Sequence, residues 1–237
     1  MIPVSVIIPV YDDTSALRRT LQLTPWDDAE LIVVATPEDS TLSSLRISRP
    51  DISWLVAPRG RARQMNAGAA AARGEWLVFL HADSQLPGGW RAALEQAQDG
   101  SFAAGCFRFA LDSSSVYARV IEVGVRLRVW LFGLPYGDQA LFVRRSLFEA
   151  VGGFAELPIM EDVDFVRRIR REGALFRSPL PVVTSARRWE RDGWAARTAR
   201  HLLLISLYLC GVAPARLVRL DRARQGHPEP SRPRISL

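Results

Sequence analysis

The chain has 237 residues, enough for one large domain, and its 48% hydrophobic and 24% charged content excludes a disordered chain or a fibre. Its net charge is +6, and all 31 of its basic residues are arginine. A coding bias explains the larger part of that usage, so the charge does not by itself point to nucleic acid; it suits an anionic small substrate or an anionic membrane surface.

The N-terminus reads Met1-Ile2-Pro3-Val4-Ser5, with no basic stretch and no small-residue cleavage site, so no signal peptide is expected. Four short apolar runs follow at 4–10, 31–35, 54–57 and 76–80. Most are apolar on both faces, which predicts buried parallel strands. Helical patterns separate them. Residues 14–23 form one that opens on a capping Thr14, and 61–73 form an Ala-rich one that stops before Gly74, read as its C-cap. Strand and helix alternating at this spacing predict a doubly wound α/β unit.

The middle of the chain changes character. Residues 102–111 read as a strand and 116–131 as an amphipathic helix, with Val116, Val120, Val123, Leu127 and Trp130 on one face. A turn-rich loop, Gly133-Leu134-Pro135-Tyr136-Gly137, leads to a strand at 140–143 and a helix at 146–151. Residues 161–172 form a helix with an acidic first turn and a basic last turn, the order that suits the helix dipole. A late strand at 177–183 and a long helix at 194–210 complete the pattern. From 222 onward Pro, Arg, Gly and Ser dominate, and a disordered tail is expected over 222–237. Residues 1–221 are read as a single domain of two halves, 1–100 and 101–221, the second ending in a C-terminal helix.

Cys106 and Cys210 lie far apart with no metal spacing, so a disulfide framework is not expected and a reducing cytoplasm is the default. The apolar stretch at 202–205, resuming at 207–212, is shorter than the about 20 residues a bilayer span needs. It and the helix at 116–131 are core in the ordinary reading. Contact with a membrane surface is the alternative, since both are flanked by arginines.

The chemistry gathers at strand ends. The run Trp76-Leu77-Val78-Phe79-Leu80 stops at His81-Ala82-Asp83-Ser84, and ligands of open α/β sheets bind at such carboxyl ends. His81 and Asp83 have the alternate spacing that aims two groups at one hard cation, which takes carboxylate and phosphate oxygens together. The competing reading makes Asp83 a turn cap and His81 a satisfied polar residue. Upstream, Gly60-Arg61-Ala62-Arg63-Gln64-Met65-Asn66-Ala67-Gly68 opens a helix with two arginines, where free N–H groups and guanidinium donors favour phosphate. Both arginines are otherwise solvated charges. Glu161 and Asp162 begin a helix, where capping alone accounts for carboxylates.

Together these segments resemble family-two glycosyltransferases with the GT-A nucleotide-diphospho-sugar transferase fold. Val4-Ser5-Val6-Ile7-Ile8-Pro9-Val10-Tyr11 is similar to the family's opening strand, 60–74 to its Gly-Arg…Asn-x-Gly segment, and His81-Ala82-Asp83 stands where the family has its Asp-x-Asp metal motif. Tyr136-Gly137-Asp138-Gln139 and Glu161-Asp162 resemble its later motifs on the acceptor side and at the base. The resemblance covers 2–215. Within the family, Gly60-Arg61-Ala62-Arg63-Gln64-Met65-Asn66, Phe79-Leu80-His81-Ala82-Asp83 and Met160-Glu161-Asp162 resemble a small bacterial stand-alone subgroup associated with arsenosugar biosynthesis.

The resemblance implies a mixed, mostly parallel sheet flanked by helices. It also implies an inverting, metal-dependent glycosyltransferase acting from a nucleotide-diphospho-sugar, UDP-linked in this reading, on an acceptor hydroxyl. Asp162 is then the catalytic base, with Glu161 orienting it or the acceptor. Pro9, Tyr11, Asp39, Arg61, Arg63, Asn66, Asp83 and Arg188 hold the donor, while Asp138, Gln139 and Trp189 lie on the acceptor side. Asp83 and the weaker ligand His81 hold Mn2+ or Mg2+. Three departures stand out: His81 replaces the first Asp of Asp-x-Asp, Asp39 stands in for an Asp-Gly-Ser-type stretch, and Ser185-Ala186-Arg187-Arg188-Trp189 keeps Arg-Trp without the Gln of processive members. A non-catalytic sugar-nucleotide binder and a sugar nucleotidyltransferase are the competing functions. The second lacks its Gly-rich loop, since Tyr11-Asp12-Asp13-Thr14 follows the first strand. No nucleic acid partner is expected, and the expected place of work is the cytoplasm, with peripheral contact at the inner face of the membrane as an option.

Overall fold

The computed structural model describes residues 2–224. The elements run β1 (Val4–Pro9), α1 (Thr14–Leu23), β2 (Glu30–Ala35), α2 (Ser43–Ser48), β3 (Ser53–Val56), α3 (Arg61–Ala71), β4 (Trp76–Phe79), β5 (Ser84–Gln85), α4 (Trp90–Asp99) and β6 (Ala104–Leu111). Then come α5 (Val116–Phe132), a 3-10 turn at Gly137–Gln139, β7 (Phe142–Arg144), α6 (Arg145–Ala150), α7 (Glu161–Glu172), β8 (Phe176–Thr184), α8 (Arg187–Asp192), α9 (Trp194–Leu209) and α10 (Pro214–Arg224). The sheet order is β3-β2-β1-β4-β7-β6-β8-β5. β1 to β4 are mutually parallel where they pair, β7 is antiparallel to both β4 and β6, β6 and β8 are parallel, and β5 is antiparallel to β8. The sheet is therefore mixed and mostly parallel, as expected.

Successive residues of a strand face opposite sides of the sheet. Val4, Val6 and Ile8 of β1 join a core with Leu17, Leu45 and Trp90 of α1, α2 and α4, whereas Ile7 joins Met65, Phe148 and Phe165 of α3, α6 and α7 on the other side. Both faces of β1 are covered, which is why its sequence is apolar throughout rather than alternating. A third, smaller core under α5 gathers Phe109, Leu111, Ala118, Ala186 and Trp189.

Several boundaries differ from the sequence reading. Asp13, not Thr14, holds the N-cap position of α1, and its carboxylate makes no capping bond. That carboxylate is taken by Arg187, while the Thr14 hydroxyl is bonded to that of Thr41. Gly74 is not a C-cap either: α3 ends at Ala71 with Ala72 in extended conformation. Gly74 lies instead where a Cβ would come 2.5 Å from the Ser5 backbone nitrogen, so close chain approach explains the glycine. The long C-terminal helix is preceded by the short α8, and Gly193, at φ 83°, separates the two. Residues 222–224 belong to α10, so the helix runs past the expected start of the tail; 225–237 lie outside the described residues. The apolar stripe of α5 faces solvent rather than the core.

Candidate active site

A cleft of about 260 Å³ opens at the carboxyl ends of β1 and β4. Its floor is Pro9, Val10 and Tyr11, and one wall is the start of α3 with Gly60, Arg61 and Gln64. His81, Ala82 and Asp83 form the turn after β4, and Asp13, Arg59 and Arg188 complete the lining. The free N–H groups of α3 therefore face the cleft together with Arg61, an arrangement suited to an anion. Buried Gln64 holds the helix there, its amide donating to the carbonyls of Val10 and Val34 at 2.7 Å each. The turn at His81–Asp83 is fixed in the same manner. The Thr20 hydroxyl donates to Ala82 O at 2.8 Å, and Ser84 N donates to His81 O at 3.0 Å.

Asp83 is met from the far end of the chain. Ser185 N donates to Asp83 O at 3.0 Å, which brings the first turn of α8 over the cleft. Arg187 forms a two-pronged pair with Asp13 and lies 3.7 Å from Asp83. Arg188 lies 3.5 Å from Asp83 and 3.9 Å from Asp13. Two carboxylates and two guanidiniums thus share one corner. On the opposite flank the Arg59 guanidinium sits 4.0 Å from the centre of the Tyr11 ring.

The acidic start of α7 closes the inner end. Arg61 Nη1 donates to Glu161 Oε1 at 3.2 Å. Glu161 is buried, and burial raises its carboxyl above the ordinary range, with the nearby Asp162 charge adding to the effect while Arg61 opposes it. Asp162 accepts from Gly137 N at 2.8 Å and from Val163 N at 2.8 Å. Gly137 has no room for a side chain: a Cβ would lie 2.9 Å from His81 Nε2 and 3.3 Å from Asp162 Oδ2. His81, Gly137 and Asp162 therefore meet at one point. Burial, helped by the Arg61 charge, lowers the His81 imidazole to about 3, so it is neutral at pH 7. Its Nε2 is sealed from solvent and has no hydrogen-bond partner.

Asp138 lies next to this point. Its Oδ1 is buried without a partner. Burial, reinforced by the Asp162 charge against the pull of Arg128, raises its carboxyl to about 6. A carboxylate in such a position is a functional candidate, because ordinary structural carboxylates are paired.

Pro9, Tyr11, Arg61, His81, Asp83 and Arg188 are all brought to the cleft, with Glu161, Asp162 and Asp138 at its inner end. The remaining candidates have other partners. Arg63 donates to Glu156 at 2.8 Å, on the exposed side of α3. Asn66 makes reciprocal bonds with the Phe154 backbone, at 2.8 and 2.9 Å. Asp39 accepts from Asp12 N at 3.2 Å and from the Thr41 hydroxyl at 2.7 Å, so it bears on the floor loop rather than on the cleft. Gln139 is a buried brace that donates to Phe107 O at 3.0 Å, and Trp189 packs against Phe109 with Arg197 over its ring. Arg187, a candidate beside Arg188 for the phosphates or the acceptor, pairs with Asp13 at the cleft's corner; Asp13, Arg59 and Gln64 are site residues the sequence did not single out.

Among the described residues no group of three or more His, Cys, Asp or Glu side chains is placed to hold a metal. Asp83 and Asp13 nevertheless converge on the same two guanidiniums, and Mg2+ is commonly held by one or two carboxylates completed by substrate phosphates. The donor set fits a divalent ion only in company with a bound diphosphate. His81 Nε2 is turned toward Gly137 and Asp162.

The mixed, mostly parallel sheet with its cleft at the strand ends is that of the GT-A fold, as similar solved structures bear out. The chain matches the model of glycosyl transferase family 2 over residues 5–155 and belongs to that family. It is similar to the mannosyltransferase PcManGT from Pyrobaculum calidifontis, solved with GDP-Man and Mn2+, with a TM-score of 0.64 and 22% identity over 90% of this chain and 66% of that one. It is also similar to S. aureus TarS 1–349 solved with UDP-GlcNAc, with a TM-score of 0.58 and 16% identity over 77% of this chain and 58% of that one. The chain thus spans less than two thirds of either structure's length. No curated protein matches it.

Proposed function

We propose that the protein is an inverting glycosyltransferase that moves a sugar from a nucleotide-diphospho-sugar to an acceptor hydroxyl. The observation that carries this reading is the Arg61–Glu161 contact, which joins the anion-suited cleft directly to the carboxylates of α7. Donor cleft and base are then one site. Family membership supports the same reading.

In this mechanism the donor's nucleoside lies over Pro9 and Val10, beside the stacked Tyr11 and Arg59, and its diphosphate meets Arg61, Arg188 and the N-terminus of α3. The acceptor hydroxyl approaches from the Gly137–Gln139 turn. Asp162 takes its proton as the acceptor oxygen bonds to the anomeric carbon. The bond from that carbon to the diphosphate oxygen breaks with its electron pair, and nucleoside diphosphate leaves. Attack from the face opposite the leaving group inverts the anomeric centre. Gly137 N–H holds Asp162 in position and Glu161 fixes Arg61. Asp83, with Asp13 beside it, would hold Mn2+ or Mg2+, which when bound supplies positive charge to the departing diphosphate. Asp138 orients the acceptor.

We read the donor as UDP-linked and the acceptor as a small molecule, arsenosugar-type glycosides being the class suggested by the subgroup resemblance. The two solved relatives carry GDP-Man and UDP-GlcNAc, so both bases belong in the test. We place the enzyme in the cytoplasm with peripheral contact to a membrane. No described helix is long and apolar enough to cross one.

Calorimetry with UDP- and GDP-sugars, with and without Mn2+ or Mg2+, tests the reading. Cation-dependent binding with slow nucleoside diphosphate release is the expected result, and product analysis then gives the anomer. Absence of donor binding under every condition overturns it.

A further inference from the structure

α5 is turned inside out relative to a core helix. Val116, Val120, Val123, Leu127 and Trp130 recur at three- and four-residue steps and are each more than half exposed, as are Tyr117, Leu131 and Phe132. The buried side carries Ala118, Glu122 and Val129. Glu122, the only carboxylate on the helix, is neutralised there: it accepts from Leu111 N at 2.8 Å and pairs with Arg119 at 2.8 Å. The solvent side of α5 therefore carries apolar and aromatic groups with no negative charge.

Arginines flank its solvent side. Arg126 is exposed on the helix itself, and Arg177 of β8 is exposed nearby, lining the same cavity as Arg126. Exposed Arg170 of α7 donates to Phe132 O at 2.6 Å, at the helix's end. The cavity beside this face has a volume of about 460 Å³ and a mainly apolar wall that includes Phe107, Phe109, Val129 and Trp130. A helix with an apolar stripe, aromatic residues and arginines lies in the plane of a bilayer interface, and the arginines favour anionic headgroups. A second copy of the chain fits less well. A helix of 17 residues is about 25 Å long and about 10 Å wide, so its stripe offers roughly 250 Å², well under the about 800 Å² per partner of a stable interface.

We propose that α5 is the membrane-docking surface of this protein, its stripe set into the headgroup–acyl boundary of an anionic bilayer and its flanking arginines on lipid phosphates. The proposal rests on the peripheral contact included in the functional reading and specifies the surface and the lipid charge. It has a geometric consequence. The loop 133–136 runs from the end of α5 into Gly137, whose N–H holds Asp162. Docking brings the acceptor side of the site to the bilayer surface.

The test is co-sedimentation with vesicles of phosphatidylcholine alone and of phosphatidylcholine with phosphatidylglycerol, for the full chain and for a Val123→Glu, Leu127→Glu double variant. Both positions are solvent-facing, so the variant keeps its thermal midpoint, which is measured alongside. The wild type is expected to partition onto the anionic vesicles, less so in high salt, and the variant to lose at least about tenfold of that partition. Equal partition of the variant overturns the assignment of α5 and leaves peripheral contact to another surface. No partition of the wild type overturns both. A wild-type dimer that the double variant breaks, without vesicle binding, assigns the stripe to a second copy and also overturns the proposal.

Discussion

Arg61 Nη1 lies 3.2 Å from Glu161 Oε1, across a hundred residues of sequence. The pair is asymmetric, since the Glu161 side chain is 5% exposed and that of Arg61 43%. Removing the arginine leaves a buried carboxyl without its counter-charge. Arg61→Ala is expected to cost about 1–3 kcal/mol, below the about 3–5 kcal/mol of a fully buried pair because Arg61 is half in solvent. Adding Glu161→Gln recovers stability without recovering turnover. Thermal unfolding of the single and double variants, run beside nucleoside diphosphate release, separates the two effects.

Asp162→Asn removes the proposed base and keeps the shape. The single amide oxygen keeps the bond from Gly137 N–H at the expense of the one from Val163 N–H, so the turn stays in place. Turnover is expected to fall by about 10²–10⁴-fold, the range of a general base, while donor affinity measured by calorimetry is unchanged. Ordinary turnover in this variant would reassign the base, with Asp138 next in line.

Asp138 gives a pH-dependent signature. Its folded pKa is raised to about 6 from the ordinary 3.8. Below the lower value both folded and unfolded chains carry the proton, and no stability is lost. Between the two values only the folded chain holds it, so stability declines as pH rises toward about 6 and the deficit is complete above that. Asp138→Asn removes this cost. It is expected to raise stability by about 1–3 kcal/mol at pH 8 and to change little at pH 4, while slowing transfer. Denaturant titrations at the two pH values measure it, and an equal effect at both contradicts the burial argument.

Asp83→Asn tests the cation. The substitution keeps the turn, because the contacts that fix it run through the backbone of Ala82 and Asp83. Donor binding in Mn2+ is expected to weaken by about tenfold or more, a single ionic contact being worth about 1.4 kcal/mol or more. The difference between binding with Mn2+ and with a chelator is expected to disappear. A persisting difference moves the cation to other ligands.

The first four strands were legible because each is buried on both faces, and a continuous apolar run bounded by turns has few other interpretations. The cleft was legible where it depends on a strand end and a helix start: Arg61, His81 and Asp83 follow from local context, whereas Pro9 and Tyr11 came only from the family resemblance. Arg187 and Arg188 were legible only as candidates for the phosphates or the acceptor, because it is the remote bond between Ser185 and Asp83 that brings α8 over the corner. Asp13 stands beside Thr14, which the sequence reads as the helix cap, and nothing local marks its carboxylate for the cleft. β5 is two residues long and carries no periodicity. The α5 stripe was legible as a pattern, but a period of three and four fixes only which residues share a face. Which way that face turns was settled by Ala118 and Glu122 packing inward.

The edge pairing of β5 with β8 also orders events during synthesis. Ser84 is made directly after β4, yet its strand partner Thr184 follows a hundred residues later. A nascent chain that ends short of Ser185 has the floor of the cleft and the start of α3, but Asp83 has neither its backbone anchor nor its guanidinium neighbours. In the proposed mechanism, capture of the donor is therefore deferred until residues 185–188 have been made, and a chain that ends before them has no fully formed means of sequestering it.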